Sequence, residues 1–164
     1  MAHYSATIEV PVAITEAFDY LAEFSSTQEW DPGVSEAEML TPAPVGLGSK
    51  FRVVASFAGR KLPLTYEITA FDRPHRVTVR AENGSTVSED TITFTTPDRS
   101  GEPGEDPGDD PGERVTVRYE ADLQLKGVFK VLAPVMGRSF DGIGDRAAAG
   151  LRAALLDRAS RPPS

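Results

Sequence analysis

The chain contains no cysteine. That excludes disulfides, thiolate nucleophiles and zinc–thiolate sites together. A chain without thiols suits a reducing compartment, and a cytoplasmic location is expected. Histidine is scarce: His3 lies near the start, and His75 follows a proline in a turn. Neither has a partner at metal-ligand spacing, so no metal site is expected. No apolar run approaches the roughly 18–20 residues that cross a bilayer. "MAHYSATIEV" lacks the charged and apolar regions of a signal peptide. Positive charge is the minority, 17 Lys and Arg against 25 Asp and Glu, for a formal charge of −8. Without a basic cluster or a basic amphipathic helix, nucleic acid and membranes are not expected partners. The nucleophile-elbow pattern G-x-S-x-G is missing. "GLGSK" holds only a fragment of a phosphate loop and leads into a strand, so no nucleotide cofactor is expected.

Acid, by contrast, is concentrated in one place. "GEPGEDPGDDPGER", residues 101–114, carries six acids, four glycines and three prolines. Removing its six negative charges from −8 leaves −2, so the net charge says little about a ligand. Pro and Gly interrupt the acids, which breaks the EF-hand pattern. The glycines are spaced three, four and four, which is not a collagen repeat. Strands of the same alternation flank the stretch. Residues 97–113 therefore read as an expanded, solvated hairpin loop and not as a domain linker.

A chain of 164 residues, 40% hydrophobic, is expected to form one domain over residues 1–158, with a disordered tail at 159–164. Tyr4, Ala6, Ile8 and Val10 alternate with polar residues and predict a half-buried strand. Thr15 is placed to cap a first helix that carries Ala17, Phe18, Leu21 and Phe24 on one face. "SSTQEW" starts a second short helix, with Ser26 and Glu29 spaced as a capping box. "DPG" at 31–33 is turn chemistry. Period two then takes over. Strands are predicted at 34–41, at Phe51–Phe57, around Leu62–Ala70, around Val77–Ala81, at 86–96 and at Val115–Leu125. Asn83-Gly84 marks a hairpin. From Val128 the period becomes helical for roughly 30 residues, with Pro134, Gly137, Gly142 and Gly144 disturbing its first half. An antiparallel sheet needs its apolar face covered, and the long terminal helix is the element able to do it.

The element order, "AFDYLAEFSSTQEWDPGV" after the first strand, "PVGLGSKFRV" and "LKGVFKVLAPVM" resemble the START-like helix-grip superfamily. Within it, the chain is similar to the polyketide cyclase/dehydrase and lipid-transport-like (SRPBCC) group, over roughly residues 3–157. The resemblance implies an α+β helix-grip fold of the START/Bet v 1 type: a curved antiparallel sheet wrapped around the long C-terminal helix. It also implies a deep apolar cavity and binding of a small hydrophobic molecule such as a lipid or polyketide, by a monomer or homodimer. Two rivals remain open: a polyketide aromatase/cyclase, and a protein-interaction module with a filled core. Fold alone does not choose between them.

The candidate ligand-binding residues follow from the faces. Trp30 matches the family's aromatic position after the second helix, as a cavity wall or as core. Tyr66 and Tyr119 lie on apolar strand faces, where a hydroxyl can hold a ligand or a backbone group. Asp90 shares the face of Ser88, Ile92 and Phe94 if alternation is strict. An inward carboxylate there acquires a raised pKa and can act as acid, base or anchor. A β-bulge or a rim position that leaves Asp90 solvated is the more ordinary outcome. Phe51, Val53, Phe57 and Leu64 on strands, and Leu132, Val135, Met136 and Phe140 on the long helix, fit a ligand surface or plain core packing equally.

Overall fold

The computed structural model describes residues 2–57, 59–97, 114–127 and 133–160, with Phe57 and residues 133–141 described by backbone alone. β1 (Ala2–Val10) leads into α1 (Ile14–Ala22), a short 3₁₀ turn at Phe24–Ser26, and α2 (Thr27–Trp30). Six strands follow: β2 (Val34–Met39), β3 (Lys50–Phe57), β4 (Arg60–Asp72), β5 (Arg76–Glu82), β6 (Thr86–Thr95) and β7 (Val115–Leu125). The chain then enters α3 (Ala133–Ser160). The seven strands form one antiparallel sheet in the order β1-β7-β6-β5-β4-β3-β2. The first strand thus pairs with the last, and β1 and β2 are the edges.

Alternation sets the faces. In β1, Tyr4, Ala6, Ile8 and Val10 turn inward while His3, Ser5, Thr7 and Glu9 are exposed. In β4, Leu64, Tyr66 and Ile68 are buried between exposed Pro63, Thr65 and Glu67. β6 pairs with β5 and β7 along its length without a register shift, so its inward set, Thr86, Ser88, Asp90, Ile92 and Phe94, is unbroken. The bulge that could have turned Asp90 outward is not there. The turn between β5 and β6 is built on Asn83, whose Oδ1 accepts from the backbone N–H of Ser85 (2.9 Å) and Thr86 (2.8 Å). Thr95 stands opposite Thr116, so the acidic stretch joins two paired neighbours. Its own residues 98–113 lie outside the described residues, as do 161–164 and Val128–Leu132.

Both helix-start signals are corrected. The carbonyl of Ala13 already accepts from Ala17 N (3.0 Å), so α1 begins at Ile14 with Ala13 as its cap, and Thr15 sits inside the helix. Ser26 has helical backbone angles (φ −61, ψ −19) because the chain is already turning from Phe24; it makes no capping bond. Its hydroxyl instead accepts from Trp30 Nε1 at 3.3 Å. Glu29 accepts from the Tyr20 hydroxyl at 2.6 Å.

One end of the fold is filled. Phe18 meets Phe71 and Phe94 edge-on, each at 5.3 Å between centroids, and Phe24 meets Phe51 at 6.3 Å. Leu151 and Leu155 from α3 are buried in the same core. Two glycines let α3 approach this closely. A Cβ on Gly150 would stand 1.9 Å from the Trp30 carbonyl oxygen, and one on Gly144 would stand 2.4 Å from the Tyr4 ring. Gly144 is thus a packing requirement as well as a weak point in the helix.

Candidate functional site

At the other end of the sheet several of the facing positions are small. Ala6 on β1, Ala121 on β7, and Gly144, Ala147 and Ala148 on α3 do not fill the space between sheet and helix. They help to enclose a cavity of about 710 Å³. Pockets that take small molecules typically span about 300–1,000 Å³. The walls are mostly apolar: Ile8, Val117, Leu123 and Leu125 on one side, Val53, Leu62 and Leu64 on the other, with Ile143 and Leu151 from the helix. Trp30 closes one flank, its ring edge-on to Tyr119 at 5.8 Å. Exposed Arg60 and Lys61, on the β3–β4 hairpin, also border the cavity and mark where it meets solvent.

Against these walls stands a connected polar group. The Tyr66 hydroxyl donates to Ser88 Oγ at 2.9 Å. Ser88 Oγ donates to Asp90 Oδ1 at 3.4 Å. The Tyr119 hydroxyl donates a short hydrogen bond to Asp90 Oδ2. All four residues line the cavity. Burial raises the Asp90 carboxyl from 3.8 to about 7; the nearby Asp31 charge adds to the rise, while the bonds from Tyr119 and Ser88 oppose it. Burial also pushes both tyrosines upward, and the Asp90 charge reinforces this. Neither phenol ionises in the physiological range. Asp31, at the C-terminal end of α2, also lines the cavity. Its pKa is raised by burial, against the pull of a 2.7 Å bond from Gly33 N–H. The site therefore offers one buried carboxyl, Asp90, with the hydroxyls of Tyr66, Ser88 and Tyr119 gathered around it, and a half-buried one, Asp31.

The sequence-derived candidates separate into three groups. Trp30, Val53, Leu64, Tyr66, Asp90 and Tyr119 come together on the cavity wall. Phe51, Ile92 and Phe94 lie in the filled core and do not line the cavity. The side chains of Phe57, Met136 and Phe140, and all of Leu132, fall outside the described residues. Sequence reasoning missed Asp31 and the small inward residues. In sequence Asp31 reads only as part of a turn; nothing in "DPG" tells that α2 folds it against the sheet. The small residues did leave a signal: Ala6 and Ala121 occupy inward strand positions where a filled core uses Val, Ile or Phe.

The profile of the family described as polyketide cyclase/dehydrase and lipid transport matches residues 1–156. A comparison with curated proteins finds no match. Among solved structures, a START superfamily protein from Mycobacterium smegmatis superposes with a TM-score of 0.71 at 13% identity, covering 95% of this chain and 98% of its own. A protein from Thermus thermophilus gives 0.72 at 17% identity, covering 96% and 99%. The di-domain ARO/CYC protein BexL of the BE-7585A biosynthetic pathway gives 0.61 at 15% identity, with 98% of this chain covering 50% of that one. At these identities the likeness is one of fold: a curled sheet holding a long C-terminal helix, the helix-grip arrangement. Among the described residues no helix is long and apolar enough to cross a membrane.

Proposed function

We propose that this chain, which belongs to the polyketide cyclase/dehydrase and lipid transport family, binds a small hydrophobic molecule in the cavity between its sheet and α3. Family and fold together point to the SRPBCC ligand-binding superfamily. The observation that carries the proposal is the cavity of about 710 Å³, apolar over most of its wall, with one connected polar group at Tyr66, Ser88, Asp90 and Tyr119. Binding works by burial. A ligand that loses about 300 Å² of apolar surface to the cavity gains about 7 kcal/mol at about 25 cal/mol per Å². Association and ordering subtract from that figure. The polar group fixes which end of the ligand goes where. Native mass spectrometry of protein purified without denaturation tests the proposal. Co-purification of, or saturable binding to, one apolar molecule per chain supports it; a chain that takes up no apolar compound refutes it.

One observation favours a second reading, an aromatase/cyclase-type enzyme. Asp90 titrates at about 7, near the operating pH at which a carboxyl exchanges protons efficiently. In that reading Asp90 moves a proton on a bound polyketide while the Tyr119 hydroxyl steadies its ionised form. Turnover of candidate polyketides by wild type and by Asp90→Asn separates the two readings. Loss of turnover with binding retained favours the enzyme, and unchanged turnover removes Asp90 from catalysis.

A further inference from the structure

We infer that the ligand's polar end is a hydrogen-bond donor, such as an alcohol, phenol or amine, and that molecules ending in a carboxylate or phosphate are rejected. The inference rests on the cavity-binding proposal and adds the ligand's chemical class to it. It comes from the direction of the hydrogen bonds. At a pH where Asp90 is ionised its carboxylate only accepts, so Ser88 Oγ, 3.4 Å from Asp90 Oδ1, must then give its proton to Asp90. The Tyr66 hydroxyl must then give its proton to Ser88 Oγ, 2.9 Å away. The Tyr119 hydroxyl gives its own to Asp90 Oδ2. Each hydroxyl has one proton, and each is committed within the protein.

What the cluster offers the cavity is therefore lone pairs: on the two phenol oxygens and on the carboxylate. A ligand O–H or N–H finds acceptors there. At this cluster a ligand carbonyl, ether or acid finds no proton to accept without breaking the chain. Charge acts in the same direction. Asp31 brings a second, half-buried carboxyl to the wall, while the cations among the lining residues, Arg60 and Lys61, are exposed at the hairpin. An anion seated at the cluster would face Asp90 and Asp31, while the positive charge of the lining, Arg60 and Lys61, stands at the exposed hairpin.

Three probes sharing one apolar body test this: 2-naphthol, 2-methoxynaphthalene and 2-naphthoate. Each displaces a fluorescent apolar dye from the wild-type protein at a pH where Asp90 is ionised. The naphthol should bind about tenfold or more tighter than its methyl ether, since it alone can donate to a charged acceptor. The naphthoate should bind the weakest. Asp90→Asn brings N–H donors into the cluster, so both the naphthol preference and the naphthoate penalty should shrink. Equal affinity for naphthol and ether, or tightest binding of the naphthoate, overturns the donor inference while leaving the cavity proposal standing. If none of the three binds, the cavity proposal fails and the inference goes with it.

Discussion

Replacing Asp90 by asparagine should stabilise the fold at neutral pH relative to its effect in acid. A free aspartate titrates near 3.8, while the buried Asp90 holds its proton to about 7. Between those values the folded chain binds more protons than the unfolded chain. Stability therefore falls as pH rises through that window and levels off above it. The gap of about 3 pH units, at about 1.4 kcal/mol each, is about 4 kcal/mol. Asparagine keeps the shape and can still accept from Tyr119 but cannot ionise, so it escapes this loss. The stability of Asp90→Asn minus that of wild type should grow by roughly several kcal/mol between about pH 4 and about pH 8. Exchanging an acid for an amide adds an offset of about 1 kcal/mol that does not follow pH. Urea unfolding followed by circular dichroism, at four or five pH values on both proteins, measures the difference. Taking the difference cancels the titration of groups common to both, such as Asp19, whose pKa is lowered by Arg73. A difference that stays flat with pH, or that grows toward acid, would refute the placement of a buried, proton-holding carboxyl at residue 90.

The glycines of α3 give an internal contrast. Gly142→Ala meets nothing within 4 Å and should stabilise by up to about 1 kcal/mol through helix propensity. Gly150→Ala drives a Cβ to 1.9 Å from the Trp30 carbonyl oxygen and should cost over about 2 kcal/mol despite the same gain in propensity. Thermal melts that rank the two variants equally would remove the argument for close approach. Tyr119→Phe takes from Asp90 its short hydrogen bond. It should raise the Asp90 pKa further and cost about 1–3 kcal/mol, readable as an upward move of the carboxyl resonance in an NMR titration. Replacing residues 97–114 by Asn-Gly should leave folding and probe binding intact, because Thr95 and Thr116 already stand opposite each other. Loss of either would give the acidic stretch a role beyond connection.

Period two made most of the sheet legible. The inward faces of β1, β4 and β7 follow the alternation in the sequence, and β6 keeps it through Asp90. That is why Tyr66, Asp90 and Tyr119, chosen from separate strands, meet at one place. Alternation reports a face, however, and not a position along it. Phe51, Ile92 and Phe94 obey the same rule as Val53 and Leu64 yet fill the closed end of the fold. Which end stays open depends on the sizes of residues facing across from sheet to helix, such as Ala6, Ala121 and Ala147, and those meetings are long-range. Local signals failed at the helix starts for a related reason. Thr15 and Ser26 have the right chemistry for caps, but the chain had already begun to turn at Ile14 and Phe24. Asp31 and Gly150 draw their roles from the approach of α2 and α3, which no window of sequence contains.

The central claim is that the space beside Asp90 is a ligand site, and filling it is the direct test. Ala121 lines the cavity, and Ala121→Trp puts a large side chain where a ligand would lie. Titration of a fluorescent apolar probe into wild type and Ala121→Trp, both verified as folded by circular dichroism, should show saturable binding of one probe per chain in wild type and its loss in the variant. Equal binding by both proteins, or no saturable binding by wild type, would contradict the account.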